Sequence, residues 1–175
     1  MFTQNENIII RAAEPNDAEL IYEWENDQSI WRVSETYMPY SMYQIEQFLF
    51  NNNDLFSNRQ IRFIIETKND NEKIGCIDIY DFDPINQRAG IGILLQENYR
   101  KRGFAKESLS LLLEYCFNIL MLKQVYCLID SLNEDSLNLF KRIGFVQCGY
   151  RKEWIRTPNG FIDEIELQYI NKNYQ

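Results

Sequence analysis

An amphipathic helix between two apolar strands is the feature that most constrains the fold of this sequence. From Phe104 to about Asn118, apolar side chains recur every three or four residues, which predicts a helix with one buried face. The residues of this stripe are Ala105, Leu109, Leu112, Leu113 and Cys116. Residues 88–95 before the helix and 125–129 after it are apolar runs typical of strands. We therefore expect the helix to cover one face of a sheet.

The remaining patterns predict one α+β (mixed α/β) domain over residues 1–175. Strands are expected at 8–12, 60–67, 73–80, from 145 onward and at 161–169. Helices are expected to begin at residues 14–17, at Ser41 with its capping partner Gln44, and at Asn133, the last of them ending at Gly144. The resulting order, β-α-α-β-β-β-α-β-α-β-β, predicts a single sheet covered by about four helices.

Composition narrows the class of function. The 175 residues are 45% apolar and carry a formal net charge of −8, so they can bury a sizeable core. An acidic chain repels phosphates, which argues against a nucleic-acid partner and favours a cationic or neutral substrate. No apolar stretch approaches the ~20 residues of a membrane span, and residues 1–6 lack the features of a signal peptide. We expect no membrane partner and a cytoplasmic location.

The sequence contains no histidine, and this absence excludes several kinds of active site. A Ser-His-Asp triad, a Cys-His pair and a histidine-ligated zinc site all need that side chain. Acid–base chemistry must then fall to carboxylates, tyrosines, thiols, backbone groups or water. The four cysteines are widely spaced without a CxxC pair, so we interpret them as reduced core thiols. No metal is expected to be required.

A basic turn enters the amphipathic helix in an otherwise acidic chain. Arg100, Lys101, Arg102 and Gly103 follow the strand at 88–95 and precede the first helical turn. The first N–H groups of a helix lack intrahelical partners, and the helix dipole adds about half a positive charge there. These residues therefore predict a cradle for an anion such as a phosphate. A solvated basic loop, with glycine present only for a tight turn, is the alternative.

Three motifs together resemble the GNAT superfamily of N-acetyltransferases. Arg100-x-x-Gly103-x-Ala105 matches the family signature of the loop that holds the pyrophosphate of acetyl-CoA. The segment 133–145, with Asn, Ser and a terminal Gly-Phe, resembles the second cofactor element beside the pantetheine arm, and 8–17 resembles the family's opening. The resemblance implies a central, mostly antiparallel sheet that is splayed at the cofactor site. It also implies the following cofactor-binding positions: Ile93, Leu94, Leu95, Arg100, Lys101, Arg102, Gly103, Phe104, Ala105, Asn133, Ser136 and Phe140.

Within that family the sequence is similar to the polyamine and ribosomal-protein N-acetyltransferase branch. The resemblance rests on Trp24, Trp31, Pro39-Tyr40, Arg88-Ala89 and Asn159-Gly160. It implies acetylation of a small primary amine, a polyamine first, and a protein α-amine as the alternative. Substrate contacts would come from Trp24, Glu35, Asp78 and Asp81. Packing of a helical face is the alternative role for Trp24, and an ordinary charge on the solvent face of a strand is the alternative for the two aspartates. Dimers are common in the family, so a homodimer is also an expectation.

The catalytic side chains depart from the family pattern. The resemblance implies an oxyanion donor in the backbone N–H of Leu94 or Leu95, which does not depend on side-chain identity. Many members carry a glutamate base where this chain has Gly90, and others a tyrosine acid where it has Phe140.

Three other residues could replace the missing side chains. Asp78 and Asp81 are the candidate bases, and Tyr150 is the candidate acid. Two acidic residues expected before Pro39 are replaced by Tyr37 and Met38, which weakens the case for spermidine. A CoA-binding module without turnover is the competing hypothesis.

Overall fold

A computed structural model describes residues 3–31, 36–51, 54–172 and 174 of the chain. Within those ranges it contains eight strands and five α-helices. In chain order they are β1 (Thr3–Gln4), β2 (Ile8–Ala12), α1 (Ala18–Glu25), α2 (Met42–Asn51), α3 (Leu55–Asn58), β3 (Ile61–Thr67), β4 (Lys73–Asp83), β5 (Arg88–Leu95), α4 (Phe104–Asn118), β6 (Gln124–Asp130), α5 (Glu134–Ile143), β7 (Val146–Thr157) and β8 (Gly160–Ile170).

All eight strands belong to one sheet, in the order β1-β2-β3-β4-β5-β6-β8-β7. Every neighbouring pair is antiparallel except β5 and β6, which run parallel. That parallel pairing covers only the start of β5, from Arg88↔Gln124 to Gly90↔Tyr126. β4 in contrast stays paired with β5 as far as Leu95. The sheet is therefore open between β5 and β6 beyond Gly90, and the predicted mostly antiparallel, splayed sheet is confirmed.

Two hydrophobic clusters hold the helices on opposite faces of the sheet. The larger includes Leu109 and Leu112 of α4, packed with inward residues of β2 to β6. The smaller joins Ile21 and Trp24 of α1 to Ile45 of α2 and to the opposite face of β3 and β4. Helix α4 thus buries the predicted stripe. No helix in the described ranges is long and apolar enough to cross a membrane.

Local sequence signals located most element boundaries. The Ser41 hydroxyl accepts from the Gln44 N–H while the Gln44 side chain accepts from the Ser41 N–H, which is the predicted capping box. Asn133 caps α5, and Gly144 ends it with φ of 115°. β1 and α3 were not predicted, because two and four residues are too few to show a periodicity.

A buried ion pair fastens the start of α1 to the sheet. The Arg11 guanidinium donates to both carboxylate oxygens of Asp17, at 2.7 and 2.8 Å, and Lys73 approaches the same carboxylate at 2.6 Å. The Asp17 side chain is fully buried, and it also accepts from the Glu14 N–H at 2.8 Å. Burial by itself would raise the pKa of Asp17, but these hydrogen bonds outweigh it and hold that pKa well below its usual range.

Asp17→Asn is expected to lower the free energy of unfolding by about 3 kcal/mol at pH 7, because it leaves Arg11 and Lys73 without their buried partner. The folded pKa of Asp17 is depressed, so its contribution is complete above the unfolded pKa of about 3.9 and is lost as the pH falls below it. Urea unfolding at pH 7 and near pH 2 should therefore show a difference between variant and wild type that shrinks in acid. Glu23→Gln, on the exposed side of α1, is the matched control.

The four cysteines are free thiols, three of them buried and Cys148 exposed. Burial raises the pKa of Cys76 to about 12, and the same cause raises that of Cys116 to about 12. A disulfide reagent at pH 8 should accordingly titrate one thiol quickly in the native protein and the others only after unfolding. Cys148→Ser should remove the fast phase, and a second fast thiol would contradict this assignment.

Candidate functional site

Glycine is required at the entrance to α4 by backbone conformation. Gly103 is the N-cap residue and has φ of 93°, a region that side chains disfavour. A Cβ there would meet only the Glu107 Oε1, at 3.9 Å, so space does not exclude a side chain. Lys101, two positions earlier in the chain, also has a positive φ, of 59°. Two left-handed residues within three positions turn the chain sharply from β5 into the helix.

This turn leaves a run of backbone donors unpaired. The first hydrogen bond of the helix is from the Glu107 N–H to the Gly103 carbonyl, at 3.1 Å. Across the described part of the chain, no acceptor is found for the main-chain N–H groups of residues 101–106. Together with the positive end of the helix dipole, these amides make an arrangement suited to an anion, and anion binding there stays a prediction.

The cationic side chains of the turn have different roles. Arg100 donates from Nε to the Leu95 carbonyl at 2.9 Å and so ties the loop to the end of β5. Arg102 lies 5.3 Å from the ring centres of both Tyr99 and Phe104. These contacts hold the loop in shape and still leave the Arg102 side chain exposed to a ligand.

The loop also meets the second predicted cofactor element. The Lys101 Nζ lies 3.3 Å from an Asp135 carboxylate oxygen in the first turn of α5. Asn133 caps that helix by accepting from the Ser136 N–H at 3.2 Å. Its Nδ2 and the Ser136 hydroxyl have no partner among the described residues. Phe140, also predicted to contact the cofactor, is instead 3% exposed and packs edge-on against Phe145, with ring centres 5.0 Å apart.

Hydrogen bonds at the two ends of β5 show which of its residues face which neighbour. On the β4 side, the Gln96 N–H donates to the Ile74 carbonyl at 2.9 Å. On the β6 side, the Gln124 N–H donates to the Gln87 carbonyl at 3.3 Å. Backbone N–H and C=O groups point to alternate sides along a strand. In β5 these groups therefore point toward β4 at even-numbered residues and toward β6 at odd-numbered residues.

The opening of the sheet then leaves particular amides without a strand partner. Beyond Gly90 no residue of β6 pairs with β5, so the N–H groups of Ile93 and Leu95 face the gap. The N–H of Leu94 faces Cys76 on β4 instead. Of the two predicted oxyanion donors, Leu95 therefore lies on the open side and Leu94 does not, and Ile93 is a further open-side donor.

Most of the predicted substrate residues already have partners within the protein. Asp78 accepts two hydrogen bonds from Arg62, at 2.8 and 2.9 Å, and Arg62 also pairs with Glu25. An aspartate held this way is not free to bind a substrate ammonium, because both of its carboxylate oxygens already accept from Arg62. Trp24 is 9% exposed inside the α1/α2 cluster, which favours the packing role. Glu35 lies outside the described residues.

Asp81 and Tyr150 occupy different places in the sheet. Asp81 is exposed at an irregularity of β4, with φ of 48°, and accepts from the Tyr126 hydroxyl at 3.2 Å. Burial, followed by the nearby Asp81, raises the pKa of Tyr126 to about 12. Tyr150 lies on β7, the outermost strand, where its hydroxyl donates to Asp163. The structure thus places the Asp81 side chain beside β6, whereas Tyr150 lies two strands away from β6.

Sequence reasoning missed Tyr80. This residue pairs with Gly90 across β4 and β5, and a Cβ on Gly90 would lie 2.1 Å from its ring. The Tyr80 ring therefore occupies the space in which a glutamate at position 90 would stand. No sequence pattern indicated this, because the contact depends on the register between two strands.

A family model for the acetyltransferase (GNAT) domain matches residues 7–146. The chain belongs to this family. The match covers the opening segment, the basic turn and α5, so the predicted membership and the N-acetyltransferase class are confirmed.

Within the described ranges, no three Cys, Asp or Glu side chains are grouped so that they could hold a metal ion.

Curated relatives and a solved structure are similar to this chain over nearly its full length. The chain is 28% identical over 160 residues to the SPbeta prophage-derived uncharacterized N-acetyltransferase YokL of Bacillus subtilis, covering 91% of this chain and 88% of that protein. It is 26% identical over 169 residues to the spermidine N(1)-acetyltransferase of Vibrio cholerae, covering 95% and 94%. A crystal structure of spermidine N-acetyltransferase from Vibrio cholerae, in complex with CoA and spermine, superposes with a TM-score of 0.85 at 24% identity, covering 97% and 99%. This last likeness supports the fold.

Gly103→Glu is expected to abolish CoA binding, because it places bulk and negative charge where the amides would meet a phosphate. Calorimetric titration with CoA measures the effect. Gly103→Ala is the matched control: it meets the same backbone strain, which costs about 1–2 kcal/mol of stability, but adds no charge and should keep most of the affinity. Unchanged affinity in Gly103→Glu would contradict the assignment of the loop.

Proposed function

We propose that the protein transfers the acetyl group of acetyl-CoA to a small primary amine, with polyamines such as spermidine as the first candidates. The observation that carries the proposal is the meeting of two open backbone surfaces. The unpaired amides of 101–106 lie at one end of β5, and the gap between β5 and β6 begins beyond Gly90 of the same strand. One elongated ligand with a diphosphate at one end suits both surfaces.

The residues present fit acetyl-CoA. The amides and cations of the basic turn would hold the pyrophosphate, as the helix N-terminus favours negative charge. The free groups of Asn133 and Ser136 would bind the amide-rich pantetheine arm, and the open-side N–H groups of Ile93 and Leu95 would meet it within the gap. When bound, acetyl-CoA supplies an activated thioester.

The chemistry needs a neutral amine. With a pKa near 10.4, fewer than about one amine in a thousand is unprotonated at pH 7. The ammonium must first give a proton to a carboxylate or to water. The lone pair of the resulting amine then attacks the carbonyl carbon, the C–N bond forms and the C–S bond breaks with its electron pair leaving on sulfur. The nitrogen loses its second proton as the amide forms, and that proton goes to the departing thiolate or to water. Proximity of two bound substrates supplies much of the rate, and a backbone oxyanion donor is worth roughly 3 kcal/mol.

Asp81 is the carboxylate best placed for the acceptor amine. It is exposed beside β6, and within the described chain no cation is paired with it. Asp78 in contrast is neutralised by Arg62. The net charge of −8 favours a cationic substrate, and two spermidine acetyltransferases are relatives at 26% and 24% identity. A homodimer and a cytoplasmic location remain predictions.

The substrate class can be tested by following thiol release from acetyl-CoA with a panel of amines. Release with spermidine or putrescine supports the proposal. Release only with peptides that have a free α-amine would favour the protein N-terminal alternative. Tight CoA binding without amine-stimulated release would leave a binding module and overturn the proposal.

Asp81→Asn should raise the KM for the amine about tenfold, since a charge-assisted hydrogen bond contributes about 1.5 kcal/mol. Asparagine tolerates the left-handed backbone at this position, so the fold should be kept. The affinity for CoA should stay unchanged, which separates the amine site from the CoA site. Asp70→Asn, in the exposed turn between β3 and β4, is the matched control. An unchanged KM would remove Asp81 from the acceptor site.

A further inference from the structure

Tyr80 reaches across one strand of the sheet to contact the next. Its ring lies against the main chain of Gly90 on β5, where an added Cβ would be 2.1 Å from Cε2 and 2.4 Å from Cζ. The same ring meets Tyr126 of β6 edge-on, with centres 6.0 Å apart and planes at 82°. Gly92, the next residue on this face, would bring a Cβ only to 3.9 Å. The phenol therefore lies over β5 and extends to β6.

The hydroxyl of Tyr80 lies where β5 and β6 separate. Gly90↔Tyr126 is the last register pair of the two strands. Continuing this register places Leu128 opposite Gly92, just inside the gap. Burial has the largest effect on the pKa of Tyr80 and raises it, while the nearby backbone N–H of Leu128, which a continuous ladder would pair with a β5 carbonyl, lowers it. The phenol oxygen therefore lies at the closed end of the gap.

This hydroxyl still has its own proton to donate. Across the described chain, no acceptor is found for the Tyr80 O–H. The other tyrosines considered for chemistry differ, since Tyr126 donates to Asp81 and Tyr150 to Asp163. Burial raises the pKa of Tyr80 well above its usual range, so the group remains a neutral donor.

We infer that the Tyr80 hydroxyl is a catalytic hydrogen-bond donor to the thioester oxygen of bound acetyl-CoA, acting beside the N–H of Ile93. The inference rests on the proposed use of acetyl-CoA. Both donors face the gap at neighbouring levels, because Ile93 directly follows the residue opposite Leu128. As the amine attacks, negative charge develops on that oxygen, and two fixed donors stabilise it.

The inference also explains two departures from the family pattern. Gly90 is needed because any side chain there would collide with the Tyr80 ring. Position 140 is phenylalanine where other members carry a tyrosine, and the phenol near the thioester comes instead from Tyr80 on β4. A proton is not passed to the leaving sulfur, because a phenol with a raised pKa is a much weaker acid than a thiol of pKa near 8.5. The hydroxyl stabilises charge by donating a hydrogen bond.

Tyr80→Phe tests this role, because it keeps the ring over Gly90 and removes only the hydroxyl. We expect kcat to fall about 100-fold, the size of the loss when one oxyanion donor is removed. The KM values for acetyl-CoA and amine should stay within about threefold, and the melting temperature should not change. Tyr115→Phe, a half-buried phenol on α4 packed against Phe63, is the matched control and should keep wild-type kcat. Wild-type kcat in Tyr80→Phe would overturn the inference.

A second measurement needs no amine and no turnover. The carbonyl stretch of bound acetyl-CoA carrying a ¹³C label at the acetyl carbonyl should lie lower in the wild-type complex than in Tyr80→Phe. Gly90→Ala should shift it in the same direction as Tyr80→Phe, because the added methyl displaces the ring. Equal frequencies with acetyl-CoA bound would overturn the role of Tyr80 alone. Failure of the wild type to bind acetyl-CoA would instead remove the proposed function.

Discussion

The brief parallel contact between β5 and β6 is the constraint on which the site depends. Three residue pairs join these strands, and beyond Gly90 they separate while β4 continues beside β5. A sheet that stayed closed would pair the N–H groups of Ile93 and Leu95 with β6 and leave nothing for a ligand. The opening supplies polar backbone groups in an otherwise apolar core, and the turn into α4 adds further unpaired amides at its end.

The rest of the fold holds this opening in place. Helices α4 and α5 cover one face of the sheet with the larger hydrophobic cluster, and α1 and α2 cover the other. The ion pair between Arg11 and Asp17 fastens the start of α1 to the sheet. Arg100 ties the basic turn back to the end of β5. A site made of main-chain donors needs such support, because its geometry is set by the strands and helices that carry it.

The conformation of the basic turn before α4 was predictable because its determinants are local. The signature at Arg100, Gly103 and Ala105 combines a turn, a helix start and charge within a few residues, and the caps at Ser41 and Asn133 work over a similar range. The surroundings of the candidate substrate residues were less predictable. The sequence predicts Asp78 as a substrate carboxylate, but Arg62 on β3 pairs with it. It predicts Trp24 as a wall of the amine pocket, but this side chain packs between α1 and α2.

The sequence alone determined the family, the order of strands and helices apart from β1 and α3, and the position of the basic turn before α4. It did so because periodicity, capping and the glycine of the turn are properties of neighbouring residues. The tertiary structure decided which amides of β5 face the gap, which candidate carboxylate lacks a paired cation and where Tyr80 lies. These depend on strand register, and a shift of one residue would turn each backbone donor and side chain to the opposite side.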